Sequence, residues 1–130
     1  MEQRETIYGQ VIAKANNYQA VPDGKGGKRI IKNDAIRSYE RLFARQCSIY
    51  RNRRINVPFR LDIDVWFPTL RQDLDNALKT ILDCLQYCNA ITDDNLCRTI
   101  LANKYVDKHR PRIEYSITPL QPQEQDLFET

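Results

Sequence analysis

Aspartates are the residues of this chain whose type and spacing best suit chemistry. Asp73 and Asp75 stand at the predicted start of a helix, and Asp93-Asp94 follow that helix. Carboxylates brought to one point repel each other unless a cation lies between them, and hard divalent cations such as Mg²⁺ prefer oxygen ligands of this kind. Such an ion can activate water and stabilise charge that develops on a phosphate oxygen. Lys79, one helical turn after Asp75, would then be placed to offset phosphate charge or to orient a nucleophile.

The same residues also fit purely structural roles. Asp73 is a suitable helix N-cap, and Asp75 is a favourable acid in a first helical turn. Asp75 and Lys79 are four residues apart, which is the spacing of an ordinary surface ion pair. Asp93-Asp94 would suit a turn before a strand. The local pattern alone leaves the metal-binding and the structural interpretations open.

Charge is unevenly distributed along the chain. Residues 24–60 carry 11 basic and 2 acidic side chains, whereas residues 61–95 carry 2 basic and 7 acidic ones, all seven of them aspartates. The whole chain has a net charge of only +3. Clustered Lys and Arg can neutralise phosphates, so the first block favours a polyanionic partner. The alternative is a solvated basic helix face.

Length and composition predict one soluble domain. The chain has 130 residues, of which 42% are hydrophobic, and it contains no apolar run near the ~20 residues that a membrane-spanning helix needs. The N-terminal residues lack the basic-then-apolar order of a secretory signal. Four cysteines are too few to cross-link a chain of this length, so we expect reduced thiols and a cytoplasmic location.

Hydrophobic periodicity predicts an α+β fold, in the order β-α-β-α-β-β, with a mixed four-stranded sheet and two helices on one face of it. A single domain would occupy residues 1–118, and residues 119–130 are expected to form a flexible tail. The expected elements are a strand at 5–13, a basic loop at 14–32, a helix from Asn33 or Asp34 to Tyr50, a strand at 57–67, a helix at 73–88, and strands at 96–106 and 112–118.

The acidic segment resembles the signature of the RusA family of Holliday junction resolvases. The similar residues are Arg71-Gln72-Asp73-Leu74-Asp75-Asn76, then Lys79 and Asp83, and later Asp93-Asp94. Asn16-Asn17-Tyr18 and Arg112-Ile113-Glu114 are similar as well. Gln72 departs from the basic residue more usual before the first aspartate, which removes one potential phosphate contact.

This resemblance implies a homodimeric, Mg²⁺-dependent endonuclease, with Mn²⁺ as a substitute, that cuts four-way DNA junctions symmetrically in recombination and repair. Asp73, Asp75 and Asp94 would bind the metal, with Asp93 in support, and Lys79 would be the catalytic lysine. We expect DNA contacts from the early basic segment and from two further arginines, namely Asn16, Asn17, Lys25, Lys28, Arg29, Lys32, Arg37 and Arg71.

Two other functions remain open from the sequence. A DNA-binding module without catalysis would keep the basic block and use the aspartates as caps. A metal-dependent nuclease for other branched DNA would keep the whole site but act on forks or flaps.

Other motifs are weaker. Cys84, Cys88 and Cys97 have poor spacing for zinc, and buried thiols are the simpler interpretation. Trp66 and Tyr18 could stack on bases, although a partly buried sheet aromatic is the simpler role for Trp66. Leu127 and Phe128 resemble the end of peptides that dock on bacterial sliding clamps, against the alternative of a frayed terminus.

Overall fold

A mixed four-stranded sheet forms the centre of the protein in the computed structural model, which describes residues 3–13, 18–32 and 34–125. The strand order is β1-β6-β4-β5; β4 pairs with β5 in parallel, and the other neighbours are antiparallel. In chain order the elements are β1 (Glu5–Tyr8), β2 (Tyr18–Pro22), β3 (Lys28–Lys32), α1 (Asp34–Gln46), β4 (Phe59–Phe67), α2 (Leu74–Tyr87), a 3₁₀ turn (Asp94–Leu96), β5 (Cys97–Val106), β6 (Arg112–Pro119) and α3 (Pro122–Gln125).

The α+β prediction is confirmed, with α1 and α2 packed against the buried face of the sheet. Strand β4 alternates as the sequence predicted: every second side chain from Phe59 to Phe67 is fully buried, and those between them are partly or fully exposed. This alternation follows from the two-residue period of a strand that has one face on the core. No helix among the described residues has the length and apolarity needed to cross a membrane.

Helix α2 is the crossover between the two parallel strands β4 and β5. Two parallel neighbouring strands start at the same end of the sheet. After the first strand the chain must therefore return to that end before the second begins, and a helix usually makes this connection. Leu74 and Leu78 pack partly against the core, and Ala77, Ile81 and Leu85 are buried. The crossover therefore has one apolar side, and it fixes where each end of α2 lies.

The first helix ends earlier than expected. The apolar periodicity predicts a helix to Tyr50, but α1 stops at Gln46. Beyond that point the backbone N–H groups of Ser48, Ile49 and Tyr50 donate to the carboxylate of Glu5, at 2.8, 3.0 and 3.3 Å. These groups would otherwise bond carbonyls one turn earlier, so the buried carboxylate replaces the helix as their acceptor.

The predicted basic loop at 14–32 is wrong for residues 18–32, which form the antiparallel hairpin β2–β3. Its turn is held by Asp23, whose Oδ1 accepts from the backbone N–H of Lys25 at 2.7 Å and of Gly27 at 3.0 Å. Gly24 and Gly26 have φ of +82° and +85°, a conformation that side chains resist. The sequence signal was present: an Asp-Gly turn between two short stretches that contain β-branched residues.

One chain end also differs from expectation. The strand predicted at 5–13 ends at Tyr8, because Gly9 has a φ of +117° and leaves the strand direction. At the other end, Leu120 is nearly buried, its N–H donates to the Pro58 carbonyl, and α3 follows. The flexibility of the tail stays a prediction. Residues 126–130, with Leu127 and Phe128, lie outside the described residues.

Candidate active site

The first two aspartates of the candidate site, Asp73 and Asp75, lie at the junction between the loop after β4 and the first turn of α2. Asp73 is the N-cap residue of α2, with an extended backbone, and Asp75 and Lys79 are exposed within the helix. The preceding loop is held by two bonds: Thr69 Oγ1 donates to Gln72 Oε1 at 2.9 Å, and it accepts from the Arg71 N–H at 3.2 Å. The loop thus places both carboxylates at the end of the sheet where β4 finishes.

Neither structural role that the sequence left open, the N-cap hydrogen bond or the surface ion pair, occupies these two carboxylates in the described part of the chain. Among the residues that the structure describes, the Asp73 side chain makes no cap hydrogen bond, and its one hydrogen bond is a long one of 3.5 Å from the Asn76 amide. Within the described part of the chain, no ion pair involves Asp73, Asp75 or Lys79. Two exposed aspartates that pair with no described cation fit the oxygen ligands that Mg²⁺ takes.

Asp94 lies at the other end of α2. Its backbone N–H donates to the side chain of Gln86, in the last turn of the helix, at 2.8 Å. Since α2 has 14 residues and each advances the axis by about 1.5 Å, roughly 20 Å separates its two ends. Nothing in the sequence pointed to Gln86 as the residue that positions this segment.

A single chain therefore does not bring Asp94 to Asp73 and Asp75. No group of three or more His, Cys, Asp or Glu side chains able to hold a metal occurs among residues 3–13, 18–32 and 34–125. The reason is topological: a crossover helix begins near the end of the first parallel strand and finishes near the start of the second, so the residues before and after it lie at opposite ends of the strands. Whether these three carboxylates are the metal ligands stays a prediction, and it requires a second chain.

Asp93 has a structural role. Its side chain accepts a hydrogen bond from the Asn95 N–H at 2.8 Å and so caps the 3₁₀ turn that begins at Asp94. The turn interpretation is thus confirmed for Asp93. Both aspartates of the pair are exposed.

The basic residues predicted to contact DNA lie mostly on exposed surfaces. Lys25, Lys28 and Arg29 are exposed at and beside the hairpin turn, and Arg37 and Arg71 are exposed on α1 and in the loop before α2. Asn16 and Asn17 lie outside the described residues, and the side chain of Lys32 does as well. Further arginines, which the sequence prediction left out of the site, are exposed on α1 and just after it: Arg41, Arg45, Arg51, Arg53 and Arg54.

Trp66 belongs to the sheet rather than to the site. Its ring stacks on Tyr105 of β5 with centroids 5.0 Å apart, and the Arg112 guanidinium of β6 lies 4.0 Å from its centroid. Both partners are its neighbours in the strand register. Since these contacts occupy the ring, they favour the structural role.

One family model matches the chain. It is described as endodeoxyribonuclease RusA and it covers residues 9–118, which includes the hairpin, Asp73, Asp75, Lys79 and Asp94. No curated protein matches the chain. The match spans most of the 130 residues and ends within the last strand of the sheet, so it takes in nearly the whole domain. The chain belongs to the RusA family of endodeoxyribonucleases.

Proposed function

We propose that this protein is a divalent-metal-dependent endonuclease that resolves four-way DNA junctions by paired cleavage, in recombination and repair. The observation that carries the proposal is the start of α2, where Asp73 and Asp75 are exposed with no cationic partner among the described residues and Lys79 follows one turn later. Family membership supports endonuclease chemistry on DNA.

Asp73 and Asp75 would hold the metal, which we propose to be Mg²⁺, with Mn²⁺ able to replace it. When bound, such an ion lowers the pKa of a water ligand and stabilises charge on a phosphate. The chain's own contribution is positioning: the loop before α2 fixes the backbone of Asp73, and partial burial of Leu74 holds the first helical turn on the core. Lys79 would offset the charge of the bound phosphate.

We propose that the third carboxylate, Asp94, comes from the partner subunit of a homodimer. A two-fold axis that sets the α2 helices of two subunits side by side and antiparallel places the end of one beside the start of the other. Asp94 of the partner subunit would then approach Asp73 and Asp75. The arrangement forms two equal sites, as the two cuts of a symmetric junction require.

The exposed edge of β5 supports this dimer. Strand β5 is ten residues long, and within the described ranges of the chain it pairs with β4 alone. Four large apolar side chains on it are 41–54% exposed: Ile100, Leu101, Tyr105 and Val106. A long edge strand with apolar side chains is a template for pairing with another strand. Antiparallel pairing of two β5 strands would set the start of one beside the end of the other, and the Val106 end lies next to Phe67 and the loop leading to Asp73.

The basic surface would hold the DNA. The hairpin turn carries Lys25, Lys28 and Arg29, and α1 carries Arg37, all exposed. Each Lys or Arg that neutralises a phosphate releases a counterion, so binding is expected to weaken steeply with salt.

Cleavage of a substrate panel tests the proposal. Purified protein is incubated with a mobile four-way junction, a replication fork, a flap and a plain duplex, in Mg²⁺, in Mn²⁺ and in EDTA. We expect paired nicks in the junction in either metal and none in EDTA. Binding without cleavage under every condition would favour a DNA-binding module instead, and faster cleavage of the fork or flap would favour a nuclease for other branched DNA.

A further inference from the structure

Two cysteines from distant parts of the chain lie side by side at the ends of the two helices. Cys47 directly follows α1, and Cys88 is the C-cap residue of α2. Their Sγ atoms are 3.5 Å apart, and both residues are free thiols. Cys47 also contacts the Glu5 carboxylate and the Tyr115 hydroxyl, at 3.4 and 3.5 Å, so its side chain is held in one place. This pair is separate from the aspartates of the proposed active site.

Cys88 is reachable from solvent, whereas Cys47 is not. A shallow cleft between the ends of α1 and α2 is lined by Ala44, Arg45, Arg51, Asn52, Cys88 and Asn89. Cys88 is 7% exposed and forms part of the cleft wall, and Cys47 behind it is completely buried. A small reagent in the cleft would therefore meet the sulfur of Cys88 first.

We propose that Cys88 and Cys47 form a reversible intramolecular disulfide when the protein meets a peroxide. In the first step the Cys88 thiolate attacks one peroxide oxygen, the O–O bond breaks, and hydroxide leaves, giving a sulfenic acid at Cys88. In the second step the Cys47 sulfur attacks the Cys88 sulfur, the S–O bond breaks, and the Cys47 proton leaves with the oxygen as water. Hydrogen peroxide is the two-electron oxidant, and a dithiol reductant reverses the reaction.

The surroundings of the two sulfurs suit these roles. The hydrogen bond with Cys47 lowers the pKa of the Cys88 thiol, and although burial opposes this, the Ala90 N–H and the Arg51 charge act in the same direction. The same hydrogen bond, together with burial, raises the pKa of Cys47. Thiolate character decides which cysteine reacts first with an oxidant, so Cys88 is the attacking group and Cys47 the resolving one.

The other two cysteines provide internal controls. Cys84 is buried within α2, and Cys97 is half-buried at the start of β5, where burial raises the pKa of its thiol to about 11. A thiol with so high a pKa carries little thiolate at neutral pH. We therefore expect both residues to remain reduced while the pair reacts.

Intact mass and peptide mapping of the wild-type protein test the proposal directly. Treatment with a modest excess of hydrogen peroxide should lower the intact mass by about 2 Da, and dithiothreitol should restore it. Digestion without reduction should then link a peptide containing Cys47 to one containing Cys88. Trypsin leaves Cys84, Cys88 and Cys97 on one peptide, since residues 80–97 contain no Lys or Arg, so chymotryptic cleavage after Leu85 or Tyr87 is needed to separate Cys84 from Cys88. A linkage of Cys47 to another cysteine, a link between two chains, or an unchanged mass would overturn the proposal.

Single substitutions assign the two steps. Cys47→Ser should leave a sulfenic acid at Cys88 that the trapping reagent dimedone labels, whereas Cys88→Ser should give neither the disulfide nor a label at Cys47. Cys97→Ser, the matched control, should form the disulfide like the wild type. Equal labelling of both cysteines in the two variants would contradict the assigned order. If either variant fails to fold, the wild-type map still decides whether the pair forms.

Discussion

Asp73 and Asp94 lie at opposite ends of α2: Asp73 is the residue before its first turn, and the backbone of Asp94 is bonded to Gln86 in its last turn. The two carboxylates belong to the same predicted metal site, yet roughly 20 Å of helix separates them within one chain. This relationship makes the dimer a requirement of the proposed chemistry.

Loss of one carboxylate at the start of α2 should abolish cleavage and spare binding. Asp75→Asn keeps the shape of the side chain but removes the charge that would attract the metal, so we expect cleavage to fall by at least about 10²-fold. Junction binding, measured by gel shift without metal, should be unchanged or slightly stronger, because a repulsive charge is gone. Asp62→Asn, which removes a carboxylate from the exposed face of β4, serves as the control. Full cleavage by Asp75→Asn would rule out this metal site.

Mixing two inactive variants distinguishes a shared site from a site within one chain. Asp75→Asn and Asp94→Asn subunits, denatured together and refolded, should regain junction nicking. Half of the dimers are then mixed, and each mixed dimer has one site with both defects and one intact site, so about a quarter of all sites recover. If all three carboxylates came from one chain, every site would carry a defect and the mixture would stay inactive.

Lys79→Ala should slow cleavage more than it weakens binding. The side chain is exposed and has no ion-pair partner among the described residues, so its removal should not destabilise the fold. Single-turnover rates and dissociation constants measured at one salt concentration separate the two effects. Lys108→Ala, which removes an exposed lysine from the turn between β5 and β6, is the control. A larger loss of binding than of rate would make Lys79 only a DNA contact.

A charge on the edge strand should break the dimer. Leu101→Lys places an ammonium group on β5 at a side chain that is 54% exposed, so the monomer should fold normally. Sedimentation velocity should show a shift toward monomer, and metal-dependent cleavage should fall with it. Tyr8→Lys, at a large side chain that is 47% exposed on β1, the opposite edge strand of the sheet, should leave the dimer unchanged. An unaltered oligomer in Leu101→Lys would place the interface elsewhere.

Glu5→Gln should destabilise the fold. The carboxylate accepts the Ser48, Ile49 and Tyr50 N–H groups, and the Tyr115 hydroxyl donates to it at 3.1 Å. An amide turns its NH₂ group toward some of these donors, so we expect a loss of about 1–3 kcal/mol in the free energy of unfolding in urea. Glu114→Gln, a partly exposed ion-pair residue, should cost less than about 1 kcal/mol.

The difference between wild type and Glu5→Gln should depend on pH. Burial raises the pKa of Glu5, but the hydrogen bonds from Ile49, Ser48 and Tyr50 outweigh it and bring the pKa below its ordinary value of 4.5. The unfolded state therefore takes up the proton first as the pH falls. The extra stability is complete above about pH 5 and is lost as the pH falls through the folded-state pKa. A difference that stays constant from pH 7 to about pH 3 would show that the charge of Glu5 does not stabilise the fold.

The sequence by itself determined the elements that have a strong period and a long run. The alternation of β4 and the apolar stripes of both helices predicted their positions to within a few residues, because burial on one face imposes its period on the chain. The order and types of the acidic residues were also sufficient to indicate the family. Short strands carry a weaker signal, which is why the sequence indicates a loop where the structure has the hairpin.

The tertiary structure decided what lies near what. Because β4 pairs with β5 in parallel, Asp73 and Asp94 lie at opposite ends of these strands. No local sequence pattern encodes which strands pair or in which direction. The carboxylate of Glu5, 43 residues from Ser48 in the chain, ends α1 four residues early. Cys47 and Cys88 meet although 41 residues separate them. Each of these contacts joins residues far apart in the chain, and only the packing of the whole domain brings them together.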